Sequence, residues 1–199
     1  PTHYPQPGWV EQNAEKLWEI SLDCMQQVIN NTGIQARDVK AIGISNQRET
    51  TVLWEKKTGK PIANAIGWQD RRTYAYCRGL ETKYGTKKLQ QQTGLCFDPY
   101  FSASKIRWLL DNIPGAKQAA ERGELAFGTI DSFLLWKLTG GKLHITDITN
   151  ASRTALFNIR TQTWQPELLE LFEIPKLLLP EVVDNINDFG QTEKNLLGA

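Results

Sequence analysis

Asn46, Gln47, Arg48, Glu49, Thr50 and Thr51 form an unbroken run of hydrogen-bonding side chains, with a cation and an anion adjacent at its centre. The run follows residues 39–45, whose poor polar alternation reads as a buried strand. In open α/β sheets ligands gather beyond the carboxyl ends of strands. On a regular strand Arg48 and Glu49 point to opposite faces, whereas on a loop both converge. The five donors of arginine and the two acceptor oxygens of glutamate suit a ligand with several hydroxyls. The plainer alternative is a strand-end ion pair flanked by solvent-facing threonines.

Two further stretches carry similar chemistry. Gly67, Trp68, Gln69, Asp70, Arg71 and Arg72 set an indole among polar groups. A tryptophan there offers a flat face to the C–H side of a polyol. With seven tryptophans in the chain, a core residue followed by a charged helix start is the competing reading. In the third stretch, Asp98 and Pro99 fit the entry to a helix, where Tyr100 can present its hydroxyl to a cleft. Phe101, Trp108 and Leu109 are then expected in the core, and Lys105 and Arg107 in solvent. Asp131, and Asp147 with Asn150, read as caps or turns. His3 and His144 are isolated and receive neither a metal nor a catalytic role.

The elements that must position these groups follow from periodicity. Apolar residues at helical spacing predict a helix over 13–31, with Asn13 as its cap and Gly33 at its end. Strands are expected at 39–45 and 50–55, with a third segment over 62–68. Helices are expected over 71–84, 100–112 and 116–122, then a strand at 125–130 and a helix capped by Asp131 or Ser132 and running to 138. A strand at 154–159 and a short helix from Pro166 complete the chain. Interspersed strands and helices make this an α/β chain.

Composition bounds the rest. The 199 residues are 40% hydrophobic and 23% charged, near the globular average, and carry a net charge of +1. That balance removes the electrostatic argument for nucleic acid or an anionic membrane. No apolar run approaches the ~18 residues of a membrane span. Three widely spaced cysteines point away from a disulfide framework and toward a reducing compartment. No phosphate-cradling GxxxxGK[ST], no GxGxxG opening a helix and no GxSxG is present. The opening Pro1, Thr2, His3 and Tyr4 reads as the interior of a longer protein.

Taken together, the three stretches resemble the FGGY carbohydrate kinase family. The resemblance extends through residues 7–11, 42–51, 64–73, 93–95, 98–102, 128–131 and 149–154, in one order over nearly the whole chain. Residues 100–112 look like a signature segment of the family, with Lys105 and Trp108 in place. The run 46–51 is nearer the members that phosphorylate glycerol than those that phosphorylate pentuloses. The resemblance implies an actin/hexokinase-like ATPase fold built on a ribonuclease H-like mixed sheet, here including residues 40–45 and 51–54. It implies transfer of the ATP γ-phosphoryl group to a terminal hydroxyl of glycerol. Arg48, Glu49 and Tyr100 would bond the glycerol hydroxyls and Trp68 would cover its carbons. Asp70 receives no direct role, and Gly67 stands where a larger aliphatic residue is expected.

On this resemblance residues 1–199 are most of an N-terminal, polyol-binding domain truncated at both ends. The phosphate and Mg²⁺ motif is expected before Pro1, the general-base aspartate beyond Ala199, and the nucleotide domain after that. No catalytic or metal-binding residue is therefore assigned within the chain, and the chain alone is expected to be inactive. A cytoplasmic homo-oligomer using ATP and Mg²⁺ is expected for the full-length protein. A kinase for another small polyol such as erythritol, or a non-catalytic polyol-binding domain, is the alternative.

Overall fold

The computed structural model describes residues 2–194, 196 and 197. In chain order the elements begin β1 (Thr2–His3), β2 (Glu11–Gln12), α1 (Ala14–Thr32), β3 (Val52–Glu55) and β4 (Ala65–Ile66). Four helices follow, α2 (Tyr74–Tyr84), α3 (Lys87–Thr93), α4 (Ser102–Asn112) and α5 (Ala116–Glu121). Then come β5 (Leu125–Gly128), α6 (Ile130–Leu138), β6 (Ile145–Asp147) and α7 (Ile148–Ala151). The chain finishes with β7 (Phe157–Asn158), β8 (Thr163–Trp164), α8 (Pro166–Leu171) and β9 (Glu181–Val183).

The antiparallel pair β3–β5 is the middle layer. Because side chains alternate across a strand, its two faces feed two separate cores. Leu53, Leu125 and Phe127 point into a core shared with α2, α4, α5 and α8. Val52, Trp54 and Ala126 point the other way, onto Ala14 of α1 and Ile130, Phe133 and Trp136 of α6. Gly128 ends β5 where a Cβ would lie 2.5 Å from Ser132 Cβ and 2.9 Å from the Trp54 ring. Only glycine lets α6 start that close to the sheet.

The remaining pairings are mixed in direction. β2 lies between β1 and β4, all antiparallel, while β6 and β9 run parallel. Helix α1 begins as expected, with Asn13 Oδ1 accepting from Lys16 N at 2.9 Å, and ends at Gly33 with φ +69°.

Three expectations are corrected. Residues 40–45 form no strand, and Ile42 and Ile44 are 40% and 39% exposed. Among the described residues no backbone lies alongside them to complete a ladder, and β-branched composition alone makes none. Helix α6 starts at Ile130 after Thr129, not after Asp131 or Ser132, because the Asp131 carboxylate is engaged in a part-buried polar cluster with Thr146 and Asn46. The strand expected over 154–159 keeps only Phe157 and Asn158, paired to β8. The sequence reading names neither α3 nor the short elements β1, β2, β6, α7, β8 and β9: the α3 sequence Lys-Lys-Leu-Gln-Gln-Gln-Thr has a single large apolar residue to signal it, and the others are two to four residues long.

His144 shows how the second core treats a titratable group. Its ring stands edge-on to Trp54 and Trp136, and Nε2 lies 2.7 Å from Phe127 O. Burial, with a smaller push from Lys56, lowers its pKa to about 4 against the carbonyl's opposing pull. The unfolded chain binds more protons between pH 6.5 and 4, so stability should fall as pH drops through that window. Urea midpoints at pH 7 and pH 4.5 should differ in wild type, and His144→Gln should remove part of the difference.

Candidate functional site

Glu49 occupies an unusual backbone position, with φ +64°, a region costly for residues with a Cβ. Local bonds hold it there. Thr50 N donates to Arg48 O at 2.7 Å, and the hydroxyls of Thr51 and Ser102 both donate to Glu49 O at 3.1 Å. The turn buries the Glu49 side chain and leaves Arg48 exposed. Thr50 Oγ1 is buried with no partner among the described residues, an unsatisfied hydroxyl within the same run.

The buried carboxylate is not left alone. Arg153 Nε donates to Glu49 Oε1 at 2.6 Å, and the Arg153 side chain is 28% exposed against 4% for Glu49. The same guanidinium lies 5.6 Å from the Tyr100 ring centre and 5.0 Å from that of Phe101. Tyr100 in turn meets Trp68 edge-on, with centroids 5.6 Å apart. Trp68 is 38% exposed, a large aromatic face open to solvent. Glu49, Trp68 and Tyr100 are thus brought together with Arg153 among them, and exposed Arg48 adjoins them through the chain.

Each contributor is delivered by small-residue packing. At the start of α4, Ser102, Ala103 and Ser104 are all buried. Ala103 N, one of the orphan donors of a helix start, bonds Thr154 O at 2.8 Å and draws in the segment bearing Arg153. Ser104 Oγ meets Thr73 Oγ1 at 2.8 Å, drawing in the segment that follows Trp68. Asp98 Oδ1 accepts from Tyr100 N at 2.8 Å and from Arg71 at 3.0 Å, which shapes the turn carrying Tyr100. Gly67 sits against residues 8–12, its N–H on Val10 O at 2.8 Å; a Cβ would stand 3.2 Å from that oxygen.

Lys105 overturns its expected placement. It has no exposed surface, and Nζ donates to Tyr100 O at 2.5 Å and Phe101 O at 3.3 Å. Asp70 is buried too, accepting from Val10 N at 2.6 Å and from Arg72 N, Nε and Nη2 at 2.8–2.9 Å. Those bonds hold residues 8–12 against the turn that carries Trp68.

A second polar cluster begins three residues before Glu49. Asn46 Nδ2 donates to Asn150 Oδ1 at 3.0 Å and Asp131 Oδ1 at 3.3 Å, and Thr146 donates to Asp131 at 2.8 Å. Burial raises the Asp131 pKa. Asp131 and Asn150 border a cavity of about 770 Å³ between residues 36–44 and α6 and β6. None of Arg48, Glu49, Trp68 or Tyr100 lines it. Among the described residues no group of three His, Cys, Asp or Glu is placed to hold a metal ion.

Comparison with known proteins places these features in a lineage. A family model described as the FGGY family of carbohydrate kinases, N-terminal domain, matches residues 1–198. A Coxiella burnetii protein named glycerol kinase is 57% identical over 197 residues, covering 98% of this chain and 39% of the relative. One of the same name from Deinococcus radiodurans is 55% identical over 197 residues, with 99% and 39% covered. The chain therefore spans about two fifths of the length of these relatives. The crystal structure of Plasmodium falciparum glycerol kinase with ADP superposes with a TM-score of 0.93 at 35% identity, covering 99% of this chain and 39% of that one. A gluconate kinase from Lactobacillus acidophilus, 21% identical, shares the fold with a TM-score of 0.84 over 99% of this chain and 38% of that one.

Proposed function

Because the chain belongs to the FGGY family of carbohydrate kinases, we propose that it is the polyol-positioning part of an ATP-dependent glycerol kinase. The observation that carries this reading is the cluster of Glu49, Arg153, Tyr100 and Trp68. A carboxylate with one oxygen on Arg153 keeps the other, Oε2, for a ligand hydroxyl. The half-exposed Trp68 ring covers carbon, and Tyr100 and Arg48 add donors at the rim. Three carbons with three hydroxyls match that arrangement of one apolar wall and several polar groups.

Phosphoryl transfer depends chiefly on positioning and on electrostatic stabilisation of the transferred group. This chain supplies acceptor positioning. By resemblance to the family, ATP and Mg²⁺ would be held by other parts of a full-length enzyme, as would the base for the attacking hydroxyl. The 199 residues are read as most of an N-terminal domain, inactive by themselves. The full-length protein is read as a cytoplasmic homo-oligomer; no described helix is long and apolar enough to cross a membrane.

The test is an assay of the full-length protein for ADP release with glycerol and with erythritol. Glycerol 3-phosphate should form, with kcat/KM at least tenfold higher for glycerol. A higher value for erythritol would favour the larger polyol, and no release with either would sink the reading.

A further inference from the structure

Lys105 is the fourth residue of α4 and the largest polar side chain with no exposed surface. Asp70, Glu49, Cys77 and Asp98, from four separate segments, favour its charged form electrostatically. Each of the three carboxylates already has an arginine: Arg72 on Asp70, Arg153 on Glu49, Arg71 on Asp98. Lys105 has no carboxylate of its own. Its ammonium instead holds two carbonyl oxygens, those of Tyr100 and Phe101.

For folding alone this is a poor use of a charge. Burying an ammonium without a counter-ion opposes stability, and an apolar side chain of similar length would avoid that cost. Burial outweighs the surrounding carboxylates and brings the Lys105 pKa down to about 7. What the ammonium does that an apolar chain cannot is grip the two carbonyls that join the Asp98 turn to α4. The Tyr100 ring hangs from the first of them, edge-on to Trp68 and 5.6 Å from the Arg153 guanidinium.

We propose that Lys105 is a positioning residue for the acceptor: by clamping the carbonyls of Tyr100 and Phe101 it fixes the Tyr100 ring against Trp68 and beside Arg153. This rests on the reading of those residues as a polyol site. The clamp is strongest when the lysine is charged, because hydrogen bonds from an ionised donor are about twice as strong as neutral ones. Raising the pH through neutrality therefore loosens it.

The experiment compares full-length wild type with Lys105→Met and Lys105→Gln. It measures kcat and KM for glycerol, KM for ATP and thermal midpoints between pH 6 and 9. Lys105→Met should raise KM for glycerol about tenfold at pH 6.5, with kcat and KM for ATP within about twofold. Its KM should be flat over the range in which the wild-type KM rises, and its thermal midpoint should equal or exceed that of wild type. Lys105→Gln, a neutral donor, should recover part of the affinity. A wild-type KM and pH profile in Lys105→Met would overturn the inference. So would a defect confined to kcat and thermal midpoint in both variants. A wild type that phosphorylates no small polyol would instead overturn the polyol reading, and this inference with it.

Discussion

Replacing Arg72 with methionine should cost about 3–5 kcal/mol of stability, the range expected when one partner of a buried ion pair is removed and the other stays. Arg72 and Asp70 each keep 1% of their side-chain surface, and Arg72 also reaches Glu11 at 2.8 Å. Its guanidinium lies 3.8 Å from the Trp9 ring centre and 4.6 Å from that of Trp108. Methionine would keep contact with both rings but leave the Asp70 carboxylate with only the backbone donors of Val10 and Arg72. These bonds fasten residues 8–12 to the turn bearing Trp68, so the loss should loosen that turn as well. Urea unfolding of the full-length protein measures the cost. Lys16→Ala, which removes an ion pair more than half exposed on both sides, is the control and should change stability by about 0–1 kcal/mol. Adding Asp70→Asn to Arg72→Met should restore part of the loss, since the stranded charge goes with it. A cost for Arg72→Met no larger than that of the control would show that this cluster is not the clasp.

How far the fold could be read from sequence depended on whether the deciding signal was local. Helix α1 carries its own cap and its own stop, and both were found where Asn13 and Gly33 stand. Strand β3 alternates between two cores, so every residue of 52–54 is buried and the stretch reads as apolar throughout. Residues 40–45 look the same in sequence. What separates them is a neighbouring backbone, which 52–55 find in β5 and 40–45 do not find among the described residues. Strand formation is a property of a pair, and no single segment reports it.

The site divides along the same line. Arg48, Glu49, Trp68 and Tyr100 stand out by type and by resemblance, whereas Arg153 sat within a quoted motif and received no role. Nothing within 149–154 shows that Ala103 N and Glu49 draw that segment in. Lys105 was placed in solvent because lysines are almost never fully buried. A signal against that placement was present: Ser102, Ala103 and Ser104 are small on successive faces of one turn. Such a turn lets other segments approach on all sides, and a long side chain next to it is enclosed.

Arg153→Met should have the largest effect on acceptor use of any substitution outside the four residues named from sequence. Arg153 supplies the charge-assisted bond that satisfies one oxygen of a carboxylate 4% exposed. Such bonds are worth about 1.5–3 kcal/mol. At 1.36 kcal/mol per decade the loss corresponds to roughly a 10- to 150-fold fall in kcat/KM for glycerol. It should appear mainly in KM, because Glu49 would be free to turn from the ligand and because the Tyr100 ring would lose its cation. Arg153→Lys keeps the charge but offers no planar fork between carboxylate and ring, so it should recover only part of the loss. KM for ATP should stay within about twofold, since Arg153 contacts Glu49 and the rings of Tyr100 and Phe101, the groups proposed to position the acceptor. Steady-state kinetics on the full-length variants decide the matter. A wild-type KM for glycerol in Arg153→Met would mean that Glu49 holds its place without the arginine, and that the strained turn at φ +64°, braced by Thr51 and Ser102, is sufficient by itself.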